Sequence, residues 1–302
     1  MLIIDYYKSI KNELINDEIY SSVKDLSKER HRVITYYNVG KLLSDAGKHY
    51  GKDIVGEYSR KLVVEVNKKY NKSTLYRMKK LYNLLSNEKV APLVPLLNWT
   101  QLLLLIPMKD INKINYYIMQ VKNRNLSKRG LEEIIKNKEY ERLPNKTKEK
   151  LANNELIKIE DNIKNPILIK NNTNNNDEEI SEKYLKHLIL DNLSSFLKEL
   201  GNGYTYVDSE YPINIGDDNH YIDILLYNID YSCYVVVELK VTKLKKEHIG
   251  QIEVYKNYID KHLKKRNQNK TIGILIVKEN NKFIIKYIND NNIISREYKL
   301  IK

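Results

Sequence analysis

Tyr221-Ile222-Asp223-Ile224-Leu225-Leu226-Tyr227, followed after a polar turn by Tyr234-Val235-Val236-Val237-Glu238-Leu239-Lys240-Val241, decides how the C-terminal part of this chain folds. Both runs are rich in β-branched and aromatic residues, and Asn228 to Ser232 between them has the composition of a hairpin turn. Side chains alternate across a strand. Tyr221, Asp223 and Leu225 therefore share one face, and Glu238 and Lys240 share a face of the second strand. Pairing through the turn sets Asp223 beside Glu238. Charged groups in apolar strands are costly unless partnered. Two arrangements supply partners: a plain carboxylate–lysine ion pair near a sheet edge, or a divalent metal held by the two acids with Lys240 alongside. The second suits phosphodiester hydrolysis. There a metal neutralises transition-state charge and lowers the pKa of bound water, and a lysine positions that water or stabilises developing charge.

Elements on either side complete an α/β domain with a mixed sheet over residues 179–302. Upstream, residues 181–200 predict a helix with Leu185, Leu188, Leu193, Phe196 and Leu197 as core positions, stopped by Gly201-Asn202-Gly203. Strand-like runs Tyr204 to Val207 and Tyr211 to Ile215 read as one strand interrupted near Pro212. Downstream, a helix from about Glu247 to Leu263 carries Gln251 and Tyr255 on one face. Gln251 can bond a phosphate oxygen or a metal-bound water, with Tyr255 buttressing it; such a pair also serves as ordinary surface and core filler. Two further strands are expected at Ile272 to Val277 and Phe283 to Tyr287.

Residues 144–178 read as a linker, punctuated by Pro144 and Pro166 and running into the polar tract Asn171, Asn172, Asn174, Asn175 and Asn176. Residues 1–143 read as helices, so the fold class is a two-domain α+β chain: an all-helical N-terminal domain and the α/β domain. Ile54, Tyr58, Leu62 and Val66 form one apolar stripe. Ser73 is the expected N-cap of a second helix, with Leu75, Met78, Tyr82 and Leu85 inward and Tyr76, Arg77 and Lys80 outward. Helix, short turn and basic second helix fit a helix-turn-helix. A similar pair follows: Ile111, Ile114, Ile118 and Val121 line one helix, and Ser127 caps the next. Lys128 and Arg129 stand in that helix's first turn, where free amides suit phosphate. Arg77, Lys80, Lys128 and Arg129 are thus the candidate DNA contacts, although a solvated basic face has the same composition.

The net charge of +13 fits a polyanionic partner, and it equally fits the Lys-, Asn-, Ile- and Tyr-rich usage of an AT-rich genome. The lone Cys233 excludes an internal disulfide; in an apolar strand it reads as a buried structural thiol. The scattered histidines have no zinc-ligand spacing. The apolar cluster Leu102 to Ile106 is far short of the roughly 20 residues that span a bilayer. Met1-Leu2-Ile3-Ile4-Asp5 lacks the features of a signal peptide. A cytoplasmic location and no membrane partner are expected.

These pieces together resemble a known family. Phe196-Leu197-Lys198-Glu199-Leu200-Gly201, Tyr221 to Tyr227, Val237 to Lys240, Glu247-His248-Ile249-Gly250-Gln251, Tyr255 and Ile272-Gly273-Ile274-Leu275 resemble, in order, the YhcG-like family of PD-(D/E)XK nucleases. Its helical, winged-helix-like domain is matched by Tyr37-Asn38-Val39-Gly40-Lys41-Leu42, Tyr50-Gly51, Leu75 to Met78, Asn98-Trp99-Thr100 and Leu126 to Arg129. The resemblance implies a restriction-endonuclease-like fold and a Mg²⁺-dependent DNase, with Mn²⁺ an alternative ion. Asp223 and Glu238 would be metal ligands, with the Leu239 carbonyl a third. Lys240 would be the catalytic lysine and Gln251 the helix residue reaching the site.

Two departures stand out. Lys186 occupies the helix position where many members carry glutamate, and Glu182, one turn earlier, is the nearest acid. Glu210 stands where glutamine is frequent, as an added carboxylate or a solvated strand end. The number of metal ions stays open. So does the alternative of a catalytically weak DNA-binding or assembly subunit of a restriction or repair complex. RNA as substrate, a homodimer and a partner subunit stay open as well.

Overall fold

The computed structural model describes residues 5–21, 28–51, 53–86, 97–153, 155–172, 180–216, 218–288 and 290–302. The chain divides into two compact units, Met1–Tyr140 and Glu141–Lys302. No helix among the described residues is long and apolar enough to cross a membrane.

The first unit is helical: α1 (Tyr6–Ser21), α2 (Lys28–Tyr50), α3 (Ile54–Glu65), α4 (Lys72–Leu85), α5 (Trp99–Leu105), α6 (Ile111–Arg124) and α7 (Lys128–Lys136). Its core takes Val55, Tyr58 and Leu62 from α3 and Leu75, Met78 and Leu81 from α4. The cap of α4 differs from the sequence reading. Asn71, in extended backbone, accepts from the Thr74 amide at 3.1 Å, so Ser73 falls inside the first turn. Both residue types cap well, and the chain starts the helix at the earlier one. Ser127 does cap α7, accepting from the Gly130 amide at 3.2 Å. Helices α2 and α4 cross closely at Gly40, where an added Cβ would lie 2.2 Å from the Met78 carbonyl oxygen.

The second unit holds α8 (Asn145–Asn153), α9 (Ile159–Asn162), β1 (Ile167–Lys170), α10 (Glu182–Asp191), α11 (Leu193–Leu200), β2 (Tyr204–Ile215), β3 (Asp218–Asn228), β4 (Cys233–Lys243), α12 (Lys246–His262), β5 (Ile272–Glu279), α13 (Lys282–Lys286) and β6 (Ile293–Ile301). The six strands form one mixed sheet in the order β1-β6-β5-β4-β3-β2. β2, β3 and β4 are antiparallel neighbours, whereas β4–β5, β5–β6 and β1–β6 are parallel. One face packs on α10 and α11 through Leu185, Leu188, Phe196, Val235, Val237 and Leu239. The other packs on α12 through Val236, Ile252, Tyr255, Ile259, Leu275 and Val277. Cys233 is buried among the first group, and burial pushes its thiol up to about 11, as suits a structural residue.

Three expectations need correction. Residues 144–178 are not a bare linker: α8, α9 and β1 lie within them. Charge anchors them, since Arg142 pairs with Glu199 on α11 and the Lys164 ammonium donates to the Glu199 carbonyl at 2.6 Å. Asn171 is buried, its amide donating to Ile301 at 2.7 Å, while Asn174, Asn175 and Asn176 lie outside the described residues. Phe283 to Tyr287 is not a strand. Asn281 accepts from the amides of Phe283 and Ile284 and starts the short helix α13, a local bond that overrides β propensity. The closing strand is β6 instead. Finally, β2 is continuous through Pro212, which an edge strand tolerates; its irregularity falls earlier, between Tyr206 and Asp208.

Gly40→Ala should destabilise the first unit by about 1–3 kcal/mol, because a backbone carbonyl cannot yield cheaply and the clash outweighs the helix propensity gained. The sole tryptophan, Trp99, packs edge-on against Tyr36 at 4.8 Å and reports this unit in urea unfolding followed by fluorescence. An unchanged midpoint would mean that α2 and α4 do not cross so closely.

Candidate active site

The β3–β4 pairing Ile224↔Val237 puts Asp223 opposite Glu238. The Asp223 amide donates to Glu238 Oε1 at 3.2 Å, and the Leu239 amide donates to Asp223 Oδ2 at 3.0 Å. Each carboxylate is thus held by the backbone of the strand next door. Leu239 enters through its amide. Lys240 Nζ lies 3.5 Å from Glu238 Oε2 and 3.5 Å from Glu182 Oε2 on α10. On the same face of α10, Lys186 Nζ lies 3.2 Å from Asp223 Oδ1 and 2.9 Å from Glu210 Oε1 on β2. Pairings Ser209↔Ile224 and Tyr211↔Ile222 set Glu210 across from Asp223.

The structure therefore brings Asp223, Glu238, Leu239, Lys240, Glu182 and Glu210 together. Lys186 joins them, a residue legible in the sequence only as a departure from a family pattern. Gln251 Nε2 donates to the Tyr255 hydroxyl at 3.0 Å on α12. His248, in the first turn of α12, belongs to the Glu247–Gln251 motif but has no role of its own in the sequence reading. Its Nδ1 accepts from the Lys245 amide at 3.2 Å, and burial and then the Lys240 and Lys245 charges hold its pKa below the usual imidazole value. In the other unit, Arg77 and Lys80 are exposed on α4, and Lys128 and Arg129 are exposed at the start of α7. Lys128 is paired with Glu132 at 3.1 Å.

Electrostatics in the cluster are uneven. Glu238 is 1 % exposed. Burial, and then the adjacent Asp223 charge, push its carboxyl up to about 8. Burial works against the charged form of Lys240, but Glu238, Glu182 and Asp223 together outweigh it and raise its pKa. Lys186 follows the same pattern, with burial outweighed by Glu210 and Asp223. The bond from Lys186 lowers the pKa of Glu210.

A divalent cation fits the Asp223–Glu238 pair. Its charge would offset both the burial and the Asp223 repulsion that disfavour the charged form of Glu238. Among the described residues no group of three or more His, Cys, Asp or Glu is arranged to hold a metal. Two carboxylates nevertheless match the way Mg²⁺ is often bound, with water and substrate phosphate filling its shell.

Comparison with known proteins bears on this geometry. Residues 160–301 match the family described as YhcG PDDEXK nuclease domain, and residues 13–142 match the DUF1016 N-terminal domain. The chain is 27 % identical over 126 residues to the Escherichia coli (strain K12) protein named "Putative nuclease YhcG", a match covering 41 % of this chain and 34 % of that one. The match thus spans about a third of that relative's length. Among solved structures, a repair endonuclease from Pyrococcus abyssi aligns with a TM-score of 0.30 and 20 % identity, over 42 % of this chain and 50 % of that one. An EndoMS-dsDNA2 complex aligns with a TM-score of 0.28 and 18 % identity, over 42 % and 48 %. Overlaps this partial carry no argument about the site. The family matches, with the mixed sheet and its flanking helices, bear out the restriction-endonuclease-like fold expected of the second unit.

In the metal-free chain, Glu238 makes native stability fall as pH rises from about 4.5 towards about 8, since the native state holds its proton longer than the unfolded one. Urea unfolding followed by circular dichroism, with chelator present, should show Glu238→Gln gaining on wild type across that window. The gain should be on the order of a few kcal/mol and level off above it. A pH-independent difference would show that Glu238 is not held protonated.

Proposed function

We propose that this chain, which belongs to the family joining a DUF1016 N-terminal domain to a YhcG PDDEXK nuclease domain, hydrolyses DNA phosphodiester bonds with a divalent ion, Mg²⁺ or Mn²⁺. The observation that carries the reading is the buried juxtaposition of Asp223 and Glu238 with Lys240 at 3.5 Å, a charge cluster that a sheet core otherwise has no reason to contain. Asp223 and Glu238 would hold the ion, with the Leu239 carbonyl as a further oxygen. When bound, the ion supplies charge neutralisation and a water of lowered pKa.

The chain's own groups do the rest. The Leu239 and Asp223 amides orient the two carboxylates from the neighbouring strands. The Lys240 ammonium, kept charged by three carboxylates, stands ready to orient water or to meet negative charge developing on phosphate. Gln251, aligned by Tyr255, offers a further polar contact to phosphate oxygen. Glu182 offers the Lys240 ammonium a second carboxylate at 3.5 Å.

Arg77 and Lys80 on α4, with Lys128 and Arg129 at the start of α7, are the proposed DNA contacts of a helix-turn-helix-like first unit. The basic net charge supports them. A cytoplasmic location and a homodimer or partner subunit for duplex cutting belong to the same proposal. The alternative, a weakly catalytic DNA-binding or assembly subunit of a restriction or repair complex, is favoured by one observation: Lys186 sits on Asp223.

Purified chain incubated with supercoiled, linear, branched and single-stranded DNA should cut with Mg²⁺ or Mn²⁺ and not with chelator. Glu238→Gln and Lys240→Ala should each lower cutting by at least about 10²-fold with DNA binding retained. An RNA substrate in the same series shows whether the specificity is for DNA. Binding without metal-dependent cutting of any substrate would move the assignment to the binding subunit.

Replacing both Arg77 and Lys80 by glutamine should weaken DNA binding and reduce the slope of log affinity against log salt by roughly 2. Unchanged affinity and slope would remove α4 from the interface.

A further inference from the structure

We propose that Lys186 takes the place of a second cation in this site, so that Asp223 and Glu238 work with a single divalent ion. The inference rests on the metal-holding reading above and deepens it.

Two acid–lysine–acid chains run side by side. In one, Lys186 bridges Glu210 and Asp223 at 2.9 and 3.2 Å; in the other, Lys240 bridges Glu182 and Glu238 at 3.5 Å each. Helix α10 supplies Glu182 to one and Lys186 to the other, a turn apart on one face. With every group ionised, four carboxylates face two ammonium groups. The two uncompensated negative charges are what one divalent ion balances. Without the Lys186 charge the cluster would carry a third.

Lys186 is also placed, not merely nearby. Its side chain is 14 % exposed and ends between the two carboxylates. Glu210 has φ of +52°, a left-handed conformation that is strained for a non-glycine residue. Its side chain is 63 % exposed, so burial cannot be the reason for that backbone. The conformation aims a surface carboxylate at Lys186 across from Asp223. Asp223 and Glu210 are the residues that would hold a second cation, and the Lys186 ammonium already joins them.

The test counts bound Mn²⁺ per full-length chain by calorimetric titration and by electron paramagnetic resonance of free Mn²⁺. Wild type should bind about one ion, lost in Glu238→Gln. Lys186→Met keeps the stem and removes the charge; it should bind about two. Lys186→Arg should stay at one. Lys186→Met with Glu210→Gln should return to one, since Glu210 would be a ligand of the added ion. Thermal melts establish that each variant is folded, and Lys186→Gln replaces the Met variant if that one melts early.

Two ions in wild type would overturn the proposal. So would a single, tighter-bound ion in Lys186→Met, which would mean that Lys186 blocks the one metal position. No ion in wild type or in any variant would sink the metal-dependent reading itself, an outcome separate from either of these.

Discussion

Two carboxylates meet where Asp223 faces Glu238, and α10, β2, β3 and β4 all supply groups that make that contact tolerable. Like charges removed from water repel strongly, and each also loses hydration. The compensation comes from separate directions. Backbone amides of β3 and β4 bond the carboxylates, Lys240 approaches from the same strand, and Lys186 approaches from α10. No single element could supply all of this. The cluster exists only when α10, β2, β3 and β4 are assembled together.

Strand geometry at this point is correspondingly irregular. Ile222 packs with the α12 side of the sheet, whereas Ile224, two residues on, packs with the α10 and α11 side. Strict alternation would put both on one face. Asp223 lies at the changeover, and the neighbouring edge strand carries a register shift and the left-handed Glu210. Helix α10 contributes Glu182 and Lys186 to the cluster directly. Glu238 and Lys240 lie just past the end of the β3–β4 ladder and pair with Leu275 and Val277 of β5.

Where the sequence reading and the structure part, the cause is local bonding or distant charge. Phe283 to Tyr287 has strand-like composition, but Asn281 offers the backbone a helical start, and the exposed ring of Phe283 shows that no sheet face claims it. The segment after Pro144 lacks a clear apolar period. It is held by Arg142 and Lys164 converging on Glu199, partners far apart in the chain. Periodicity has no access to such pairs.

Alternation and turn chemistry alone determined that Asp223, Glu238 and Lys240 would share a hairpin, since a strand's period of two and a short polar turn leave one register that buries the apolar face. The same local rules determined α12, β5 and the helical nature of the first unit; they read residues 181–200 as one helix, which the structure breaks at Asn192 into α10 and α11. Tertiary structure decided what surrounds the acids. Lys186, Glu182 and Glu210 reach them from a helix and an edge strand, and whether a lysine on α10 ends in solvent or on Asp223 depends on packing that no local pattern encodes. It also decided the closing strand β6 and its partner β1, because parallel pairing joins segments whose separation in sequence carries no signal.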